Sequence, residues 1–462
     1  MIRTRHTAAL AIAALLLITV ASTSHGAPSV YPTGTTIYDP DRTWNGYTIF
    51  RTNNPQGDVL IDMNGRELRR LTTTSSQPAR IFPGGYVMGG SIQRSPHQEF
   101  IGLVQWDWDG NEVWRFDKTE QVTTADGALV WASRQHHDWQ REGSPAGYYA
   151  PGSEPQVLSG RTLILAHKNV TVPAISDKRL EDDYILEVSW EGEVLWDWLA
   201  SDHVDEFGFS EEARNAIHRS VAWNEARQSA DWLHINSMSY VGPNRWYDDG
   251  DERFHPENII FSARNANIIA IIDRTGAIVW KMGPDYRDSK ALTELGQISA
   301  QHHPHIIPKG LPGEGNMMVF DNGGTSGYGA TSPGAIDGTN IVTRYYSRVV
   351  EVNPVTFEKV WEYSVPGNAS FLFFSRNVSS AQRLPNGNTL ITEGADGRLL
   401  EVTAENEIVW EYVLPYFNNN ANPVPATYRA YRVPYDWIPQ LPRPAERRVV
   451  PPVLSDFHIE PE

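Results

Sequence analysis

The chain has 462 residues, 56 acidic against 39 basic, a formal net charge of −17, 11% aromatics and no cysteine. So many aromatics exclude a solvated, disordered chain, and the acidic balance disfavours nucleic acid and anionic membranes as partners. Lack of cysteine excludes a disulfide framework, a thiolate metal site and a Cys nucleophile.

Read from the start, Arg3, Arg5 and His6 precede an apolar run from Ala8 to Ala21, then small residues to Ala27. This order predicts a secretory signal peptide over 1–27, too short to span a membrane. The expected locale is secreted or periplasmic, with no stable membrane insertion after signal removal. The length allows two or three domains or one large one. No Pro- or Gly-rich linker divides the remainder, so 28–438 reads as one domain and 439–462 as a Pro-rich tail.

Within 28–438 one unit recurs six times: an apolar/polar alternation, a turn at Asn, Asp or Gly, and a second strand usually ending in Trp. The copies are Leu60 to Leu68, Val104 to Trp114, Val188 to Trp196, Ile271 to Trp280, Val350 to Trp361 and Glu401 to Trp410. A short apolar strand precedes each, as in Gly85-Tyr-Val-Met-Gly89 and Asn388-Thr-Leu-Ile391. Hairpin plus strands, six times over, predict an all-β fold: a six-bladed β-propeller of four-stranded blades with long inter-strand loops. The recurrent Trp reads as packing between blades. One helix is expected, from Ser210 as N-cap to His218, with acids in its first turn. Tyr247 to Glu252 is acidic but lacks calcium-loop spacing and reads as a solvated loop.

The innermost strand of a propeller blade lines the central channel, where ligands bind. The segments expected there are Gln135-His136-His137-Asp138, Trp232-Leu-His234-Ile-Asn236 and Gln301-His302-His303-Pro304-His305, holding six of the 14 histidines. The last unit has Ser379-Ser380-Ala381-Gln382-Arg383 instead. Strand alternation predicts that only one of His302 and His303 points inward. Converging imidazoles suit three uses: covalent transfer, with histidine as nucleophile or acid/base; a metal site without thiolate; or hydrogen bonds across blades. Phe320-Asp321-Asn322-Gly323-Gly324 and the Gly-rich loop after it add polar groups, and Arg344 and Arg348 follow as donors for an anionic oxygen. No phosphate loop or serine nucleophile elbow is present.

Over most of the mature chain the sequence resembles the bacterial aryl-sulfate sulfotransferase family. The resemblance rests on Tyr31-Pro-Thr-Gly-Thr-Thr-Ile-Tyr38, Trp232-Leu-His234-Ile-Asn236, Gln301-His302, Phe320-Asp321-Asn322-Gly323, Tyr346-Ser347-Arg348 and Ala381-Gln-Arg-Leu-Pro-Asn-Gly-Asn-Thr-Leu-Ile391. It implies an exported six-bladed propeller that moves a sulfuryl group from an aryl sulfate to a phenol, without a nucleotide donor. It also implies a transiently sulfated histidine, with other histidines and an Arg on the sulfuryl oxygens.

His234 and His302 carry over as active-site histidines. His137 and His303 complete the expected catalytic set; Asn236, His305, Asn322, Arg344 and Arg348 are the expected substrate-binding residues. Two positions depart from the family pattern. Gly324-Thr325-Ser326 stands where the family's Arg follows Phe-Asp-Asn-Gly, and after His305 the chain has only His458. The expected partners are a small aromatic sulfate and a phenolic acceptor. No cofactor is expected, a His-bound metal stays open, and metal identity and oligomeric state are unknown. The alternatives are a His-ligated metal enzyme on the same fold (an oxidoreductase or a polysaccharide lyase) and a non-catalytic binding propeller.

Overall fold

Short alternating strands cannot bury their apolar faces alone, so each hairpin unit needs neighbours on both sides. In the computed structural model they find them around a ring. The structure describes residues 33–451, apart from 54–55, 73–76, 125, 329–338, 343 and 419–423. The expected signal peptide, part of the Gly-rich loop and the last residues of the tail lie outside the described residues.

Each sheet of the ring contains a four-strand antiparallel meander whose first strand faces the axis. These inner strands are Arg80–Phe82, Gln135–Arg141, Ile235–Tyr240, His302–Ile306, Ser380–Arg383 and Ala430–Val433. The all-β propeller class holds, but the six equal blades expected are not what forms. Five sheets are regular four- or five-stranded blades. The meander that starts at Gln135–Arg141 is instead merged into an eight-stranded sheet. There Gln135 pairs with Phe100, and Leu180 pairs in parallel with Ala230. Two sheets join the chain ends. Gly34–Tyr38 adds to the outer edge of the last sheet, and Ala430–Val433 supplies the inner strand of the first.

The recurrent Trp does sit between blades, and it also ties them. The indole N–H of Trp114 donates to the carbonyl of Trp190 at 2.8 Å, Trp196 to Arg274 at 3.0 Å and Trp280 to Pro354 at 2.8 Å. Trp361 donates to Ala404 at 2.9 Å and Trp410 to Met63 at 2.8 Å. Each accepting carbonyl lies in a turn of the following sheet, so the outer hairpins are stitched in series. The apolar core lies between sheets, as in the cluster of Leu163, Leu165, Ile185, Trp232, Ile259 and Phe261.

The expected helix forms as Glu211–Ser220, with Ser210 Oγ accepting from the Ala213 N–H at 3.2 Å. It is not alone among the described residues. Lys290–Leu295 is a second helix, and a short one, Arg245–Asp248, capped by Asn244, takes in the first two residues of the acidic segment read as a loop. The described part of the tail wraps back: Val449 bridges Tyr38, and Arg448 reaches Asp39 and Asp41, both at 2.7 Å. Among the described residues no helix is long and apolar enough to cross a membrane.

Candidate active site

Three inner strands carry an irregularity at or near their start. Register shifts between Gln135 and Trp139, between Ile235 and Ser237, and between His302 and His305. The residue before or within each shift has left-handed backbone: His137 at φ 52°, His234 at φ 54° and His303 at φ 55°. Such a conformation costs a non-glycine residue about 1–3 kcal/mol and clusters at functional sites. Its effect here is to break alternation. His136 and His137, adjacent in sequence, turn their rings toward each other, with Nδ1 to Nδ1 at 2.8 Å. His303 and His305, two residues apart, share one side as alternation places them, their ring centroids 4.6 Å apart. Alternation fails only at the His136–His137 pair.

Hydrogen bonds fix most of the tautomers, because a carbonyl oxygen only accepts. His302 Nδ1 faces Ala300 O at 3.1 Å and Asn322 Oδ1 at 2.8 Å. His303 Nδ1 faces Ala381 O at 3.0 Å, and His305 Nδ1 faces His303 O at 3.0 Å. Each therefore carries its proton on Nδ1 and keeps the Nε2 lone pair. His305 Nε2 accepts from the Tyr148 hydroxyl at 2.9 Å. His136 Nε2 faces Ala166 O at 3.1 Å, so its Nδ1 accepts from His137 Nδ1–H, and His137 too keeps Nε2 as an acceptor. Burial, helped by neighbouring positive charge, pushes His137, His302 and His303 well below the usual imidazole range and His305 down to about 4. All four are neutral bases at neutral pH.

His234 differs. Its side chain is 18% exposed, while the other five histidines of these strands are at most 7% exposed. Its Nδ1 lies 2.5 Å from Asp231 Oδ2. Burial would raise the Asp231 carboxyl, but His234 outweighs it and holds Asp231 low, at about 2. The ionised carboxylate accepts the hydrogen bond from Nδ1–H and so turns Nε2 away from Asp231. His137 packs edge-on against His234, centroids 4.7 Å apart.

Next in sequence to His137, Asp138 lies between two buried guanidiniums: Arg80 Nη2 at 2.8 Å and Arg429 Nη1 at 2.7 Å. Arg429 also donates to the Asn236 carbonyl at 2.7 Å, as does the Tyr428 hydroxyl at 2.7 Å. Two positive charges against one negative leave this part of the channel cationic inside an acidic protein, so net charge does not describe the site. Arg264 is a further cation whose charge bears on His302 and Asp231.

The expected substrate-binding residues fall in different places. Asn322 orients His302 and donates to Ser375 O at 2.6 Å. Asn236 donates to Gln301 O at 2.8 Å. Arg344 and Arg348 converge on buried Asp321, with Arg348 Nε at 2.8 Å, and donate to the carbonyls of Gln297, Leu295 and Gly296. Arg348 Nη1 also lies 3.4 Å from Glu362 Oε2, so two carboxylates meet the two guanidiniums, and the carbonyl bonds tie both to a turn. At the last inner strand Ser379 Oγ donates to Ser375 Oγ at 2.8 Å and Ser380 Oγ bonds Thr392 Oγ1 at 3.1 Å. Sequence reading missed Asp231, Arg264, Tyr428 and Arg429. Asp231, three residues before His234, carried a readable signal; the others needed the ring to close.

The family model for arylsulfotransferase (ASST) matches residues 153–421, more than half of the chain and including both His234 and His302. The chain belongs to the arylsulfotransferase family. No curated protein matches it. Solved structures give only distant likenesses. A protein of unknown function from Bacteroides caccae is 11% identical, covering 84% of this chain and 99% of its own, at a TM-score of 0.41. A putative 6-phosphogluconolactonase from Bacteroides fragilis is 11% identical, covering 86% and 100%, at 0.36. Virginiamycin B lyase from Staphylococcus aureus is 10% identical, covering 74% and 70%, at 0.32.

Proposed function

We propose that this protein moves a sulfuryl group from an aryl sulfate to a phenol, after export, with His234 Nε2 as the transient carrier. The observation that carries the reading is the Asp231–His234 pair. His234 is the one of the six histidines in these segments with both an ionised carboxylate on Nδ1 and a partly exposed side chain. A nucleophile needs that combination of an oriented lone pair and access.

In the first half-reaction the Nε2 lone pair of His234 forms the S–N bond as the S–O(aryl) bond breaks, and the phenolate leaves with that electron pair. The imidazole becomes cationic, and Asp231 balances the charge through Nδ1–H, as an orienting carboxylate does in other nucleophile–base pairs. In the second half-reaction a phenol oxygen attacks sulfur, the S–N bond breaks, and its electrons return to Nε2. The phenol proton goes to the neutral imidazole of His302, which offers an Nε2 lone pair and on which the charge of His234 bears. Sulfuryl transfer, like phosphoryl transfer, depends mainly on positioning and on cations around the equatorial oxygens. Arg264 and the Arg429–Asp138–Arg80 cluster support that need. Arg344 and Arg348, already paired with Asp321, do not.

The test is single-turnover mixing of the mature protein with a chromogenic aryl sulfate, followed by mass spectrometry of the quenched enzyme. A stoichiometric phenol burst with a sulfuryl-sized mass gain on the His234 peptide is expected. No burst with several aryl sulfates would sink the reading, and a mass gain on another histidine would reassign the carrier.

A further inference from the structure

Beside the channel, the enlarged sheet brings together three groups that the transfer reaction does not use. His136, His167 and Asp183 come from three consecutive strands, Gln135–Arg141, Thr162–Val170 and Leu180–Val188. One ligand atom of each lies within 4.8 Å of those of the other two, and all three residues are buried. His167 and Asp183 are direct cross-strand partners. The His136 and His167 rings stack with centroids 3.7 Å apart.

Two of the three groups are held as ligands would be. His167 Nδ1 faces Glu99 Oε2 at 3.0 Å, which orients Nε2 away from that carboxylate. A carboxylate on the far nitrogen is the usual outer support of a metal-bound imidazole. Asp183 Oδ2 accepts from the Ile235 N–H at 3.0 Å. Its Oδ1 is buried with no hydrogen-bond partner among the described residues and lies 3.5 Å from His136 Nε2. Among the described residues no Lys or Arg pairs with Asp183. An orphaned carboxylate oxygen at full burial is costly unless it is protonated or meets a cation.

We propose that His136, His167 and Asp183 bind one divalent first-row transition metal, with Zn2+ the most suited. Two imidazole nitrogens and one carboxylate oxygen match that class, while Ca2+ and Mg2+ prefer all-oxygen shells. The site is distinct from His234 and does not rest on the transfer reaction. Ligation at His136 Nε2 displaces the proton now directed at Ala166 O. That proton passes to Nδ1 and is donated to His137 Nδ1, and His137 then holds its own proton on Nε2. No proton is gained or lost by the pair, but His137 changes from acceptor to donor toward the channel.

The test uses the full chain purified from zinc-supplemented culture, with elemental analysis, and metal-stripped protein titrated with Co2+ as a visible-absorbing probe. About one metal per chain is expected in wild type, and in the surface control His203→Gln. His167→Gln and Asp183→Asn should each lower it at least about tenfold. Substoichiometric metal in wild type after incubation with Zn2+ overturns the proposal. So does stoichiometric metal that survives both variants. Should the variants misfold, X-ray absorption on Co2+-loaded wild type decides: a shell without imidazole scattering overturns it.

Discussion

Asp231 is the residue on which the proposed chemistry turns, and its replacement separates orientation from charge. Asp231→Asn keeps size and a hydrogen bond but removes the negative charge that balances a sulfated imidazolium. The phenol burst rate should fall by about 10²–10⁴-fold, the range of a removed acid/base partner, while substrate affinity changes little; stopped-flow bursts measure both. A second residue-level expectation concerns acid. His305 is held down at about 4 by burial against an unfolded value near 6.5, so it stabilises the fold above about pH 6.5 and that contribution is lost as pH falls toward 4. For His305 alone the loss is about 3 kcal/mol, and His302 and His303 act in the same direction. Asp182, raised to about 6 by burial, acts oppositely, since its contribution is lost as pH rises through 6. His136 and His137 are lowered as well, and Asp183 and Glu393 are raised as well, so five imidazoles against three carboxyls predict denaturant midpoints that fall on acidification from pH 7 toward 4. A flat profile would contradict the neutral buried imidazoles. The histidine positions themselves were legible, because His-rich segments recur at equivalent places in the repeat. His167 and Asp183 were not, because only the strand register makes them neighbours.

At the scale of the element, the hairpin repeat was readable because alternation and turn residues are local signals. The irregularities at the inner strands were not. Nothing in Gln135-His136-His137 or Gln301-His302-His303 announces a left-handed residue, since β-branched or aromatic neighbours impose no such turn. That one unforeseen feature decides which imidazoles meet. The tryptophan stitch yields a graded prediction. Trp280 is 4% exposed and its N–H bonds the Pro354 carbonyl, so Trp280→Phe should cost about 1–3 kcal/mol by orphaning a buried acceptor. Trp361 makes the same bond to Ala404 at a solvent-exposed place, where water can replace it. Trp361→Phe should cost about 0.5 kcal/mol or less. Thermal or urea unfolding of the two variants side by side reads the difference.

For the whole molecule, fold class followed from counting repeats, but the unequal blade did not. The enlarged sheet recruits strands from two loops, 93–100 within one repeat and 222–231 between two, and loops carry no period to read. Ring closure was equally hidden, because it joins residues from opposite ends of the chain. Tyr38 shows how much depends on it. It is fully buried in the N-terminal strand, pairs with Trp410 and hydrogen-bonds Asn45 Oδ1 at 2.9 Å. Tyr38→Ala should therefore cost about 3–5 kcal/mol, as large-to-small core changes do, with calorimetry as the measure.

The order in which the chain is made gives that closure a further meaning. The strand that completes the first sheet, Ala430–Val433, pairs with Tyr47 to Phe50, so a ribosome must synthesise nearly the entire protein before this contact exists. Arg429 and Tyr428, whose side chains reach into the channel, arrive on the same last segment. A nascent chain can build its middle sheets early, from contacts between near neighbours, but its first sheet stays open on the axial side until the end. The channel is thus the last part of the molecule to be finished, and a chain that stops short of residue 428 cannot assemble its cationic interior.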